Sequence, residues 1–150
     1  MKVIYRRLKL FIKKTFLGYY YSYRYYHTGR IYRMNDLTIG IKELGKKNTQ
    51  FPHPIGIVIG AKVQMGNNCT VMQNVTIGAK SPAEAKDNKY PKIGNNVFIS
   101  THAVIIGDII VGNNVIIGAH TFVNKNIPDN TVAYGTPLQI KAPPNNSIFL

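Results

Sequence analysis

Residues 93–123 read IGNNVFISTHAVIIGDIIVGNNVIIGAHTFV, and within them every sixth residue is aliphatic: Ile93, Ile99, Ile105, Val111, Ile117 and Val123. The same beat runs upstream through Ile59, Met65, Val71 and Ile77. A second series stands two residues ahead of the first. It runs Ile57, Val63, Cys69 and Val75, then Val97, Ala103, Ile109 and Val115, and closes on Thr121 and Ile127. Helices repeat at about 3.6 residues and strands at about 2, so neither gives a period of six. A short strand plus a corner does. Three such units close a triangular coil of about 18 residues, and coils stack as a parallel β-helix. The triplets Gly66-Asn67-Asn68, Gly94-Asn95-Asn96 and Gly112-Asn113-Asn114 suit the corners, because Gly and Asn accept left-handed backbone angles. Val and Ile fill the flat parts, as strands prefer.

Working outward, stepping back six from Ile59 reaches His53. The beat therefore predicts an imidazole in a slot otherwise given to packed aliphatics, and a break in a consistent local rule points to a functional site. Between Ile77 and Ile93 the beat lapses into a polar excursion, residues 79–91, with two prolines. Excursions from a solenoid gather on one face, often the binding face.

The 150 residues fit one main domain with flanking segments: 1–35, the solenoid 36–143, and a tail 144–150. Residues 1–35 do not follow the beat; they hold nine Lys or Arg and no acid. Val3, Ile4, Leu8, Phe11 and Ile12 have helical spacing, with Lys2, Arg6, Lys9 and Lys13 mostly opposite. Such a basic amphipathic helix suits either an anionic membrane surface or a neighbouring subunit. The net charge of +13 is concentrated there. A solenoid offers no recognised groove reader, so nucleic acid is not an expected partner. One cysteine, Cys69, excludes an internal disulfide framework and suits a reducing compartment. Its place on the inward beat makes it a small core residue. No signal peptide and no spanning run is evident. The expected location is the cytoplasm, with contact at the inner membrane face through residues 1–35 left open.

The stretch FPHPIGIVIG, then VTIGAK, a loop, YPKIG, and finally IGAHTFVNKNIP with GTP resembles the hexapeptide-repeat acetyltransferases. The likeness is to the serine O-acetyltransferase family, and more closely to its relatives found with bacterial polysaccharide genes. It covers roughly residues 37–142. The resemblance implies a left-handed coil, a homotrimer with active sites between subunits, and acetyl-CoA as donor. It also implies that His53 is the general base. A hydroxyl attacks a thioester poorly until its proton is removed, and imidazole can take that proton and return it to the leaving thiolate. The orienting carboxylate such a base often has stays open between Asp36, Glu43 and none. Donor contacts carried over from the family fall on Ala79, Thr101 and Ala119, stacked one coil apart if the loop adds four residues. Lys125 and Lys141 are candidates for the nucleotide phosphates, with solvated surface lysines as the plain alternative.

The serine enzymes carry a histidine before Pro-Lys-Ile, preceded by an arginine, and both help hold the amino-acid acceptor. Here Tyr90 and Lys89 stand in those places. The departure favours a sugar or glycan acceptor over free serine, with packing as another reading of Tyr90. His102 and His120 are 18 residues apart and so stack on one corner. A zinc site of the γ-carbonic-anhydrase kind would need a third ligand, which the spacing does not supply. No metal is expected, and the pair is assigned to the donor groove or the trimer seam. The remaining alternatives are a serine acetyltransferase and a solenoid without activity.

Overall fold

A computed structural model describes residues 34–143 of the chain. The helix expected in residues 1–35 lies, up to residue 33, outside the described residues, as does the tail 144–150. The described part is a stack of parallel coils with three sheets running along it. The first holds β1 (Asp36–Leu37), β2 (Val58–Ile59), β4 (Thr76–Gly78), β7 (Val104–Ile106) and β10 (Phe122–Val123), in that order. The second holds β3 (Thr70–Val71), β6 (Phe98–Ile99), β9 (Ile116–Ile117) and β11 (Val132–Tyr134), closed by the antiparallel β12 (Gln139–Lys141). The third pairs β5 (Lys92–Ile93) with β8 (Ile110–Val111), extended by bridges Gln64 to Lys92 and Val111 to Ile127. The chain visits the first, third and second sheets in turn.

Register gives the coil length. Val58 lies opposite Thr76, Val104 opposite Phe122, and Phe98 opposite Ile116, each 18 residues on. Across the excursion the step is 28, from Thr76 to Val104. The loop thus adds ten residues rather than four. It is not shapeless: α2 (Pro82–Lys86) starts at Ser81, whose Oγ accepts the Glu84 N–H at 3.2 Å. The S-x-x-E spacing at Ser81 and Glu84 is a helix-start signal.

Every residue of both six-residue series is buried, including Thr121. Each coil alone would leave this apolar interior open, so stacking is what forms the core. Helix α1 (Ile41–Lys46) replaces the third-sheet strand in the first coil and buries Leu44 against the same core.

The corner between the third and second sheets is held by an asparagine ladder. The backbone N–H groups of Asn67, Asn95 and Asn113 donate to side-chain oxygens of Asn95, Asn113 and Asp129 at 2.8, 2.9 and 2.8 Å. Asn68, Asn96, Asn114 and Asn130 take positive φ beside it. Strand pairing cannot reach these corner amides, and a short polar side chain one coil up satisfies them instead.

Cys69 is buried with Sγ 3.3 Å from the Gly94 carbonyl oxygen. Burial pushes its thiol up, with a backbone hydrogen bond to Val97 opposing in part. A raised thiol holds little thiolate near neutrality. The folded protein should therefore resist a disulfide exchange reagent that labels the denatured chain at once; equal labelling rates would contradict this burial.

Candidate active site

The corner between the second and first sheets gathers all three described histidines. It is formed by residues 51–57, 72–75, 100–103 and 118–121 in successive coils. His53 lies on the 51–57 bend and is exposed. The inward position predicted for it is wrong, and the reason is countable. Gln50 bridges Thr70, 20 residues on, and Asp36 pairs with Val58, 22 on. From Gln50 to Val58 is eight residues, where Thr70 to Thr76 is six, so this corner carries two extra residues. Phe51, one past Gln50, packs against the core in the slot the beat assigned to His53. The imidazole is displaced to the outside of the corner, where a ligand can reach it.

The bend is tied down at several points. Ile55 N–H donates to the His53 carbonyl at 2.8 Å, Gly56 N–H to Met34 at 2.8 Å, and Asn74 N–H to Ile55 at 2.9 Å. The Asn35 side chain spans it, with Nδ2 donating to the Pro54 carbonyl and Oδ1 accepting Ile57 N–H, both at 2.8 Å. Gly56 has φ +66°, and a Cβ there would overlap Asn74 Oδ1. Met34 and Asn35 thus already belong to the first coil. The His53 ring makes no hydrogen bond to a described residue. Asp36 lies in β1 and Glu43 on α1; neither bonds to His53 within the protomer.

Above Gly56, the same edge carries Asn74, His102 and His120, all at positive φ. The rings of His102 and His120 stack with centroids 4.7 Å apart and planes 12° apart, as their spacing predicts. Thr101 Oγ1 donates to the Gln73 carbonyl at 3.1 Å and lies 2.7 Å from His102 Nδ1, while Asn74 Nδ2 lies 3.1 Å from His102 Nε2. Both ring nitrogens of His102 are thereby engaged. No group of three or more His, Cys, Asp or Glu stands placed for a metal ion among the described residues.

Of the three expected donor contacts, two share a row. His120 N–H donates to the Thr101 carbonyl at 3.0 Å, and His102 N–H to that of Gln73 at 3.1 Å, which stacks Gln73, Thr101 and Ala119. Ala79 is not in that row. The 28-residue step puts Gln73 beneath Thr101, and Ala79 falls at the root of the loop. There, Gly107 N–H donates to the carbonyl of its neighbour Gly78 at 3.1 Å.

The loop residues stand on a different edge, between the first and third sheets. Tyr90 lies over Gly60, where an added Cβ would come within 2.9 Å of its ring, and it packs against the core. Lys89 pairs with Asp87 at 3.2 Å. Lys125 is exposed on this same edge. Lys141 lies on β12, its Nζ 5.3 Å from the centre of the Tyr134 ring. Within one protomer, the two lysines expected at the nucleotide are therefore not brought together, nor are Tyr90 and Lys89 brought to His53.

Residues 90–125 match the family profile of the bacterial transferase hexapeptide, six repeats. Over 85 residues the chain is 38% identical to a serine acetyltransferase of Staphylococcus epidermidis, covering 57% of this chain and 39% of that protein. Among solved structures, it is similar to soybean serine acetyltransferase complexed with serine. The identity is 32% and the TM-score 0.58, over 62% of this chain and 37% of that one. It is likewise similar to a serine acetyltransferase in complex with CoA, at 32% identity and a TM-score of 0.55, over 62% and 37%. The chain thus spans about two fifths of the length of the curated relatives it matches. The matched repeat and these neighbours imply a left-handed β-helix, the hand expected from the sequence resemblance.

Proposed function

We propose that this chain transfers the acetyl group of acetyl-CoA to a hydroxyl, with His53 as general base. The observation that carries the reading is the exposed His53 on a tethered bend, sharing one open edge with the Thr101–Ala119 row. In the proposed step the imidazole takes the acceptor's O–H proton as its oxygen attacks the thioester carbon. The tetrahedral intermediate collapses with loss of the C–S bond, and the imidazolium returns the proton to the thiolate. The products are an acetyl ester and coenzyme A. Charge developing on the carbonyl oxygen calls for N–H donors.

The acceptor reading follows the relatives. They are named for serine, and one neighbour was solved with it. The case for a sugar rests on Tyr90 and Lys89 standing where the serine enzymes keep a histidine and an arginine; here the Tyr90 ring packs over Gly60 and against the core, and Lys89 pairs with Asp87. We therefore take serine, or a small hydroxyl of its kind, as acceptor, with sugars as the competing class.

The active unit is proposed to be a homotrimer. The loop edge and the His53 edge stand apart in one protomer, and a neighbouring copy would bring one against the other. Val58 and Phe122 on the first sheet, with Phe98 on the second, leave apolar side chains outward for such packing. No helix among the described residues is long and apolar enough to cross a membrane.

Thiol release from acetyl-CoA, read against serine and a panel of sugars, tests this. Turnover with serine is the expected result. Turnover with sugars alone would reverse the acceptor reading, and none with any hydroxyl would remove the reaction.

A further inference from the structure

We propose that Asn35 is a positioning residue for His53, acting through the bend beneath it; the role rests on the reaction proposed above. The 51–57 corner has two more residues than the corners above it, so its peptide groups outnumber the partners that neighbouring strands offer. The Asn35 amide supplies the missing pair. Its Nδ2 donates to Pro54 and its Oδ1 accepts from Ile57, both at 2.8 Å. On either side of Asn35 the backbone continues the pairing: Met34 accepts Gly56 N–H at 2.8 Å, and Asp36 N–H donates to Ile57 at 2.9 Å. Asn35 thus behaves as an extra peptide unit inserted into the first coil.

His53 directly precedes Pro54, which is buried. Proline fixes its own φ and restricts the residue before it. With no bond from its ring to a described residue, the imidazole is placed by the backbone it stands on, and Asn35 grips that backbone one and four residues further along. Among side chains of this length, only an amide offers both a donor and an acceptor. Aspartate keeps the acceptor for Ile57 and loses the donor to Pro54; alanine loses both.

The test uses the full chain, with coenzyme A release as readout. Asn35→Ala should lower kcat about 100-fold, the scale of a misplacement of about 1 Å, and leave KM for acetyl-CoA within about twofold. Asn35→Asp should fall between it and the parent. Added to His53→Ala, Asn35→Ala should slow the residual rate no further, because the group it positions is already gone. An Asn35→Ala protein with the parent kcat would overturn the role, as would a further 100-fold loss on top of His53→Ala. Should the alanine variant not fold, Asn35→Asp decides, and parent-like kcat there overturns the role equally. A parent protein with no turnover on any hydroxyl removes the reaction and this role together, whereas turnover untouched by Asn35→Ala removes this role alone.

Discussion

His53→Ala slows acetyl transfer by about 10²–10⁴-fold, the usual worth of general-base assistance, while coenzyme A affinity stays within about twofold. The split follows from where the residue stands. His53 is exposed and its ring bonds to no described residue, so removing it opens no cavity and orphans no buried partner. Stability should change by no more than about 0.5 kcal/mol, as for other surface substitutions. The expected donor row, Thr101 and Ala119, lies in higher coils of the same edge and does not depend on the imidazole. Parallel measurements of kcat, coenzyme A dissociation constant and melting temperature decide the matter. A variant as fast as the parent would eliminate the base assignment, and one slowed only because it melts would relocate His53 to structure. His102→Ala gives the contrast, since that ring is engaged by Thr101 and Asn74 and stacked on His120. It should cost some stability and leave the chemical step in place.

The interior was legible in the sequence because period six is a statement about every coil at once. Each slot from Ile57 to Ile127 in the two series is buried, and one misread position could not have spoiled the rest. Counting along the chain failed wherever a coil gained residues. Ala79 joins the Thr101 row only on a four-residue insertion, and the loop adds ten. Subtracting six from Ile59 points His53 inward, and two extra residues at that corner turn it out. The acceptor is less legible for a related reason. Tyr90 identifies a ring but not its neighbour, and the neighbour is Gly60, thirty residues earlier and on the same edge only because the coil closes there. Asn35 left no local signal at all. Its partners Pro54 and Ile57 are about one coil away, and an asparagine outside a turn triplet looks like any polar residue. The capping signal at Ser81 and Glu84 is present in the sequence, but it lies inside a polar, proline-bearing stretch whose composition otherwise reads as loop. What brings the loop edge to the His53 edge depends on a second copy, which no period within one chain encodes.

Gly94→Ala should destabilise the protein by about 3 kcal/mol, toward the upper end for overpacking. At Gly94 the coils approach so closely that a Cβ would sit 2.5 Å from the Gly112 carbonyl oxygen, 2.6 Å from its carbon and 2.9 Å from the Asn113 nitrogen. All three are backbone atoms. They cannot step aside as the end of a flexible side chain would, because strand pairing fixes neighbouring coils at about 4.8 Å and the asparagine ladder holds the corner. Asn95 N–H donates to Asn113 Oδ1 at 2.9 Å immediately beside the glycine. Admitting a methyl means lengthening those bonds or tilting a coil, and either disturbs Val97 and Cys69 in the core below. Against a total stability of about 5–15 kcal/mol, the melting temperature should fall by about 10–15 °C. Gly45→Ala makes the same chemical change on α1, where an added Cβ meets nothing within 4 Å. There it should stabilise by about 0.5–1 kcal/mol, through the helix preference for alanine. Thermal unfolding followed by circular dichroism at fixed protein concentration separates the two. Cys69 labelling gives a local probe, since its sulfur lies 3.3 Å from the Gly94 carbonyl oxygen and should become reactive at lower temperature in the variant. Equal melting of Gly94→Ala and the parent would mean that the coils are free to separate at this corner, and the close backbone contact would not be what sets their spacing.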